Sequence, residues 1–181
     1  MSENLRLARP FMVVVLIFAV GRWLMGTAFK VPYERGHHVL SLVTMTWMAA
    51  AFYGAFTRRW RGFTVGRAAL MGSTLGLIAQ IAIVVATALT YAMGTDTYFN
   101  HPTALNVTAP IAMGEAMGRR LGGLVVNTLI SGILGALGWF LGGLLPEGAP
   151  GSPETRRART PPTGARRPGC PPGGRSVPGP P

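Results

Sequence analysis

Cysteine and acidic residues are scarce in this 181-residue chain, and each shortage excludes a class of protein. The single cysteine, Cys170, excludes a disulfide framework, a paired-cysteine redox relay and a cysteine-rich metal site. Only 6 Asp and Glu stand against 17 Lys and Arg, so the formal net charge is +11. The motifs GxSxG, GxxxxGK[ST] and HExxH are also absent. These absences favour a protein without enzymatic activity.

Charged residues are missing altogether from two long stretches. No Asp, Glu, Lys or Arg occurs from Gly36 to Thr57 or from Ala68 to Thr95. Each stretch is longer than the roughly 20 residues that a helix needs to cross a bilayer. The chain is 49% hydrophobic with a mean hydropathy of +0.34, which excludes a soluble nucleic-acid-binding protein despite the positive charge. The sequence predicts an integral membrane protein whose first partner is the lipid bilayer, with no specific nucleic acid.

Four apolar segments predict membrane-spanning helices, at about 10–29, 39–57, 68–93 and 121–145. A rise of ~1.5 Å per residue takes each across a hydrocarbon core of ~30 Å. The segments are continuous apolar runs, whereas strands of a membrane barrel alternate apolar and polar residues. We therefore predict an all-α protein, an integral membrane four-helix bundle formed by residues 1–145.

The remaining residues, 146–181, have the composition of a disordered tail. Of these 36 residues, 18 are Pro or Gly and six are Arg. Such a segment cannot bury enough apolar surface to offset its chain entropy. We predict a disordered Pro/Gly/Arg-rich cytoplasmic tail. It is interpreted either as a solvated extension or as a basic arm attracted to anionic lipid headgroups.

The distribution of Lys and Arg predicts that both termini are cytoplasmic in the plasma (inner) membrane. Twelve of the 17 fall on the predicted cytoplasmic side: Arg6, Arg9, Arg58, Arg59, Arg61, Arg67, Arg156, Arg157, Arg159, Arg166, Arg167 and Arg175. The apolar run from Phe11 to Gly21 also resembles a secretory signal peptide, but no small-residue cleavage site follows it. Cleavage there would leave the orientation of the other helices unchanged.

Small and polar residues recur every four positions in the third and fourth segments, as expected where helices pack closely in lipid. The stripes are Ala68, Gly72, Gly76 and Gln80 on one helix, and Gly123, Asn127, Ser131 and Gly135 on the other. We expect these stripes to face each other, with Gln80 bonded to Ser131. A second series, Gly138 and Gly142, is expected to admit the first or second helix, another protomer of a homo-oligomer or another membrane subunit.

Arg22 is the one Asp, Glu, Lys or Arg well inside a predicted span. Intramembrane charges usually mark function, but a long side chain near a helix end can also extend to the interface. Asn127 lies at a similar depth, and Thr44 somewhat higher, so a polar cluster in the outer half of the bundle is expected. The intramembrane polar candidates are therefore Arg22, Gln80, Asn127 and Ser131.

All three histidines fall on the predicted outer side. A metal site would use His37, His38, His101 and Glu34, and two of the histidines could instead ligate a haem iron. Their spacing matches no strong metal motif, and interfacial histidines also cap helices. No cofactor is predicted, and metal or haem is left open. The outer loop ends in Ile111 to Gly118, which we expect to form a separate short helical turn at the surface.

Three functions remain. The first is a non-enzymatic membrane subunit or binding module with its specific surface on the outer face. The alternative is a small transporter or channel that uses the intramembrane polar residues. The third is an outer-face metal-binding or haem-binding protein.

Overall fold

The computed structural model describes residues 3–144, which contain helices and no strand. Four helices are long: α1 (Glu3–Thr27), α3 (Leu42–Arg61), α4 (Val65–Ala92) and α5 (Met113–Gly142). The connections contain a short helix, α2 (Tyr33–Gly36), and a 3-10 turn over Pro102–Leu105. The all-helical prediction is confirmed for this part of the chain. The predicted tail, with Cys170, lies outside the described residues.

Three of the long helices, α1, α4 and α5, are long and apolar enough to cross a membrane. The fourth, α3, is not among them. Its last turn carries Arg58, Arg59 and Arg61, so its uncharged part runs only from Leu42 to Thr57. The structure therefore has three candidate spans where the sequence predicts four, although α3 packs against both α4 and α5 within the same bundle.

The chain order creates two distinct ends of the bundle. We call the end with the connections 28–41 and 93–112 the loop end, and the end with the turn 62–64 the basic end. At the basic end, Arg58 donates hydrogen bonds to the carbonyls of Trp139 (3.0 Å) and Phe140 (3.3 Å). A cation at the last carbonyls of a helix is stabilising because it complements the helix dipole. The Trp139 Nε1–H donates to the Phe63 carbonyl (2.6 Å), which fixes the turn against α5.

The seam between α4 and α5 is built on glycines, as the stripes predict. A Cβ added at Gly76 would lie 2.8 Å from the Cβ of Ser131, and one added at Gly135 would lie 3.2 Å from the Cα of Gly72. Two details of the prediction are wrong. Gly123 has no neighbour from another helix within 4 Å. The Ser131 hydroxyl has no hydrogen-bond partner, so it is not bonded to Gln80.

The error in register has a simple cause. Ser131 is level with Gly76, and Gln80 lies one helical turn, about 6 Å, further toward the loop end. The Gln80 side chain therefore lies one turn beyond the Ser131 hydroxyl and does not bond to it.

A second glycine seam joins α3 to α5. A Cβ added at Gly138 would collide with the backbone of Ala51, and one added at Gly142 would lie 2.6 Å from the carbonyl oxygen of Ala55. The partner of this glycine series is thus α3, one of the two helices expected. These contacts involve residues 51–55 of α3 and 135–142 of α5, so they all lie in the half of the seam nearer the basic end.

Candidate functional site

The long connection at the loop end is held in a fixed shape by its own side chains. The Thr97 N–H donates to Oδ1 of Asn100 (2.8 Å), and the Asn100 amide donates to the carbonyl of Thr95 (3.0 Å). The hydroxyl of Thr97 accepts from the N–H of Phe99 (3.0 Å). This compact turn places the ring of Tyr98, which is only 3% exposed, in the interior of the loop end.

Tyr98 joins this turn to the first connection. Its hydroxyl donates to the carbonyls of Val31 (2.8 Å) and Pro32 (3.1 Å). The contact depends on Gly36, because a Cβ at that position would collide with the Tyr98 hydroxyl. Burial raises the pKa of the Tyr98 phenol, against a smaller lowering effect from the nearby Arg22 guanidinium. The phenol consequently remains protonated and keeps donating.

Beneath these two loops lies a cavity of about 220 Å³, which we call the arginine cavity because Arg22 and Arg120 both line it. Arg22 is five residues before the end of α1, and Arg120 is seven residues after the start of α5. At ~1.5 Å per residue, these positions are about 8 and 10 Å inside their helix ends. Both side chains are half-buried.

The hydrogen-bond partners of both guanidinium groups are neutral. Arg22 donates to the His37 carbonyl (3.1 Å) and lies 5.3 Å from the centroid of the Tyr98 ring. Arg120 donates to the carbonyls of Phe99 (2.6 Å) and Ala104 (3.2 Å) and to the Thr87 hydroxyl (3.2 Å). Each guanidinium has five N–H donors, so both retain unused donors after these bonds.

Among residues 3–144, no carboxylate lines the arginine cavity. The acidic side chains that form ion pairs do so elsewhere: Glu3 binds Arg67 (2.7 Å), and Glu115 binds Arg119 (3.0 Å). Neither cavity arginine forms an ion pair within the same residues, and the two repel each other. Half-buried like charges are costly unless something of opposite charge accompanies them. The arrangement is suited to an anion.

Two of the three histidines line the same cavity. His37 and His38 line it, with ring centroids 3.6 Å apart. The rings of His37 and His101 both stack on Tyr33, at centroid distances of 5.4 and 4.2 Å. His37 Nδ1 donates to the carbonyls of Tyr33 and Glu34 (both 3.2 Å), whereas His101 Nδ1 accepts from the N–H of Thr103 (3.3 Å). Nε2 is the nitrogen that remains available on each ring.

These positions bear on the predicted metal ligands. Across residues 3–144, no three His, Cys, Asp or Glu side chains are grouped closely enough to hold a metal ion. Glu34 is exposed and contributes its backbone carbonyl to His37. Metal or haem binding by His37, His38, His101 and Glu34 stays a prediction.

A second cavity, of about 280 Å³, adjoins the first. Two of the predicted intramembrane polar residues, Gln80 and Asn127, line it. Trp47 of α3 forms part of one wall, and Gly123 of α5 part of the other. We call it the α3–α5 crevice. It shares Arg120 with the arginine cavity, whereas Ser131 lines neither. The structure thus brings Arg22 to one cavity and Gln80 and Asn127 to its neighbour.

Sequence reasoning missed Arg120, Tyr33 and Tyr98 as parts of the site. Residues 113–118, expected within a separate turn, are the first turns of α5, so Arg120 lies inside a helix and not before one. The pair Glu115 and Arg119 at i, i+4 spacing was the available signal for this longer helix. The tyrosines had no comparable signal, because their positions depend on how two irregular loops meet.

Comparisons with protein-family models, with curated proteins and with solved structures found no match.

Proposed function

We propose that this chain is a non-enzymatic membrane protein that binds an anionic ligand at the loop end of its helical bundle. The observation that carries the proposal is the arginine cavity: two half-buried guanidinium groups share about 220 Å³ with His37 and His38, and no carboxylate lines it. Oxoanions are the ligands that guanidinium groups bind best, because parallel N–H donors match paired oxygens.

The loop end also has the rigidity that a binding site needs. The rings of His37 and His101 both stack on Tyr33, and Tyr98 joins the two connections through its hydroxyl. Because backbone carbonyls hold Arg22 and Arg120 in place before a ligand arrives, little side-chain entropy remains to be lost on binding. This preorganisation supports a specific site over a diffuse positive surface.

We further propose that the bundle spans the plasma membrane four times, with the loop end outside. The six arginines at the basic end, together with those of the tail, favour a cytoplasmic location for that end. The fourth span is α3, whose terminal arginines would lie in the cytoplasmic headgroup region while Leu42–Thr57 crosses the apolar core. The proposed binding site then faces the outer side.

The transporter alternative receives less support from the geometry. The α3–α5 crevice reaches Gln80 and Asn127, but beyond them the glycine seams bring the helices into close contact. A cavity that ends inside the bundle favours binding over passage.

Thermal unfolding in a zwitterionic detergent tests the proposal, with inorganic phosphate as the probe. A ligand that binds only the folded state stabilises it, by about 2.7 kcal/mol at a concentration of 100 Kd. Phosphate should raise the unfolding midpoint of the full chain, but not of Arg22→Gln or Arg120→Gln. Arg35→Gln removes the same charge from an exposed position that lines neither cavity, and should keep the increase. No increase in the unmodified chain, or an equal loss in Arg35→Gln, would contradict the proposed site.

A further inference from the structure

The α3–α5 crevice has one side that no described helix covers. Gln80 of α4 lies at its floor, Trp47 and Asn127 belong to its opposite walls, and residues 104–106 close it at the loop end. Gly54 meets Gly135 nearer the basic end, and neither glycine lines the crevice. Helix α1 contributes no residue to its lining, so the side opposite α4 faces the surroundings of the bundle. In a membrane, those surroundings are lipid.

The crevice adjoins the arginine cavity. Both are lined by Arg120, Val43, Ile83 and Ala104, so the Arg120 guanidinium borders the two spaces. A ligand held by Arg120 is therefore next to the crevice and to its lipid-facing side.

The lining of the crevice combines apolar side chains with two arginines and three amides, which are Arg119, Arg120, Gln80, Asn106 and Asn127. Gln80 is 4% exposed, and its side chain makes no hydrogen bond within residues 3–144. Asn127 donates to the Gly123 carbonyl of its own helix (2.9 Å), which leaves its oxygen and one N–H available. The Gln80 amide faces the crevice, and in a lipid environment no water is present to bond it, so a ligand with its own polar groups at this depth would supply a partner. Trp47, 36% exposed, supplies an aromatic surface at the opening.

We infer, on the basis of the proposed anion-binding function, that the ligand is an anionic phospholipid that enters sideways between α3 and α5. Its phosphate lies between Arg22 and Arg120, its ester groups lie against Gln80 and Asn127, and its acyl chains pass Trp47 into the bilayer. A free phosphate has the same headgroup chemistry, but it would occupy only the arginine cavity and would leave the Gln80 amide without a partner.

Quenching of Trp47 by brominated lipids tests this route. The full chain and its Trp47→Phe variant are reconstituted in phosphatidylcholine bilayers with either phosphatidylglycerol or additional phosphatidylcholine brominated near the carbonyl end of the chain. The difference between the two proteins isolates the Trp47 signal from that of the other three tryptophans. Brominated phosphatidylglycerol should quench Trp47 more than the zwitterionic lipid does. The excess should be lost in Arg120→Gln and in Arg22→Gln but retained in Arg35→Gln.

The outcomes separate the two sources of the anion. Equal quenching by both lipids, together with phosphate stabilisation that depends on Arg22 and Arg120, would overturn the lipid inference and leave the proposed function intact. Equal quenching without any phosphate stabilisation would overturn both. Excess quenching that Arg35→Gln also abolishes would show general charge attraction and would refute the crevice as the lipid site. Circular dichroism of each reconstituted variant establishes that it is folded, and two separate arginine variants keep the test decisive if one of them is not.

Discussion

Replacing Gly138 by Ala should separate α3 from α5 and destabilise the bundle. An ideal Cβ at this position lies 2.7 Å from the carbonyl carbon of Ala51 and 2.8 Å from its Cα. Ordinary contact begins at 3.4 Å, and the carbonyl oxygen of Ala51 lies nearer still, so the two backbones must move apart by more than about 0.7 Å. Both atoms belong to helix backbone, so no side-chain rotation relieves the overlap.

The cost follows from that displacement. A gap of 0.5–1 Å removes about a quarter to a half of the dispersion energy of each contact it opens. Such a gap would loosen the neighbouring contacts of Gly54 with Gly135 and of Gly142 with Ala55. Overpacking of this kind costs about 1–3 kcal/mol in protein interiors. We expect a loss in that range in the free energy of unfolding.

The matched control is Gly122→Ala on the same helix, where an added Cβ meets nothing within 4 Å. Alanine is favoured over glycine in a helix by up to about 1 kcal/mol, so this variant should be neutral or more stable. Unfolding in mixed micelles with increasing denaturing detergent measures both. Equal stability of the two variants would refute the tight α3–α5 seam.

Three further predictions concern the loop end. Gly36→Ala should weaken phosphate binding, because the added Cβ would displace the Tyr98 hydroxyl. Gly114→Ala is the control and should bind normally, because its Cβ meets nothing within 4 Å. Equal phosphate affinities of the two variants in a titration would contradict the Gly36 contact. The pKa of Tyr98 is raised in the folded protein. The contribution of its protonated phenol to folding stability is therefore complete below the ordinary tyrosine pKa of about 10, and it is lost as the pH rises through the higher pKa of the folded state. In an ultraviolet titration, Tyr98→Phe should therefore remove a component that ionises above that ordinary value, and removal of an ordinary component would refute the assignment. Thr103→Cys in a Cys170→Ser background should react with an impermeant thiol reagent from outside intact cells, and labelling only from the cytoplasmic side would reverse the proposed orientation.

The helices were predictable from the sequence, and so was the α4–α5 seam. Charge-free runs and the spacing of Gly72 and Gly76 are local signals, and lipid imposes few alternative structures on such runs. The exact register was not predictable, because a shift of one turn leaves the same small residues facing each other. That shift places Gly76, rather than Gln80, opposite Ser131.

The candidate site was predictable only in part. Arg22 was identifiable because a charge inside an apolar run is conspicuous. Arg120 directly follows Arg119 in the sequence. The start of α5 at Met113 determines that the Arg119 side chain is exposed and paired whereas the Arg120 side chain lines the cavity. The position of Tyr98 depends on a turn that is closed by side-chain hydrogen bonds, and no periodic pattern in the sequence predicts such a turn.

Isothermal titration of inorganic phosphate into the purified full chain, at constant ionic strength, measures anion binding at the arginine cavity. A charged hydrogen-bonding group contributes about 1.5–3 kcal/mol, so removing either cavity arginine should weaken phosphate binding about tenfold or more. We expect a single site that Arg22→Gln and Arg120→Gln each weaken to this extent and that Arg35→Gln leaves unchanged. Absence of binding to the unmodified chain, or equal affinity in all four proteins, would contradict it.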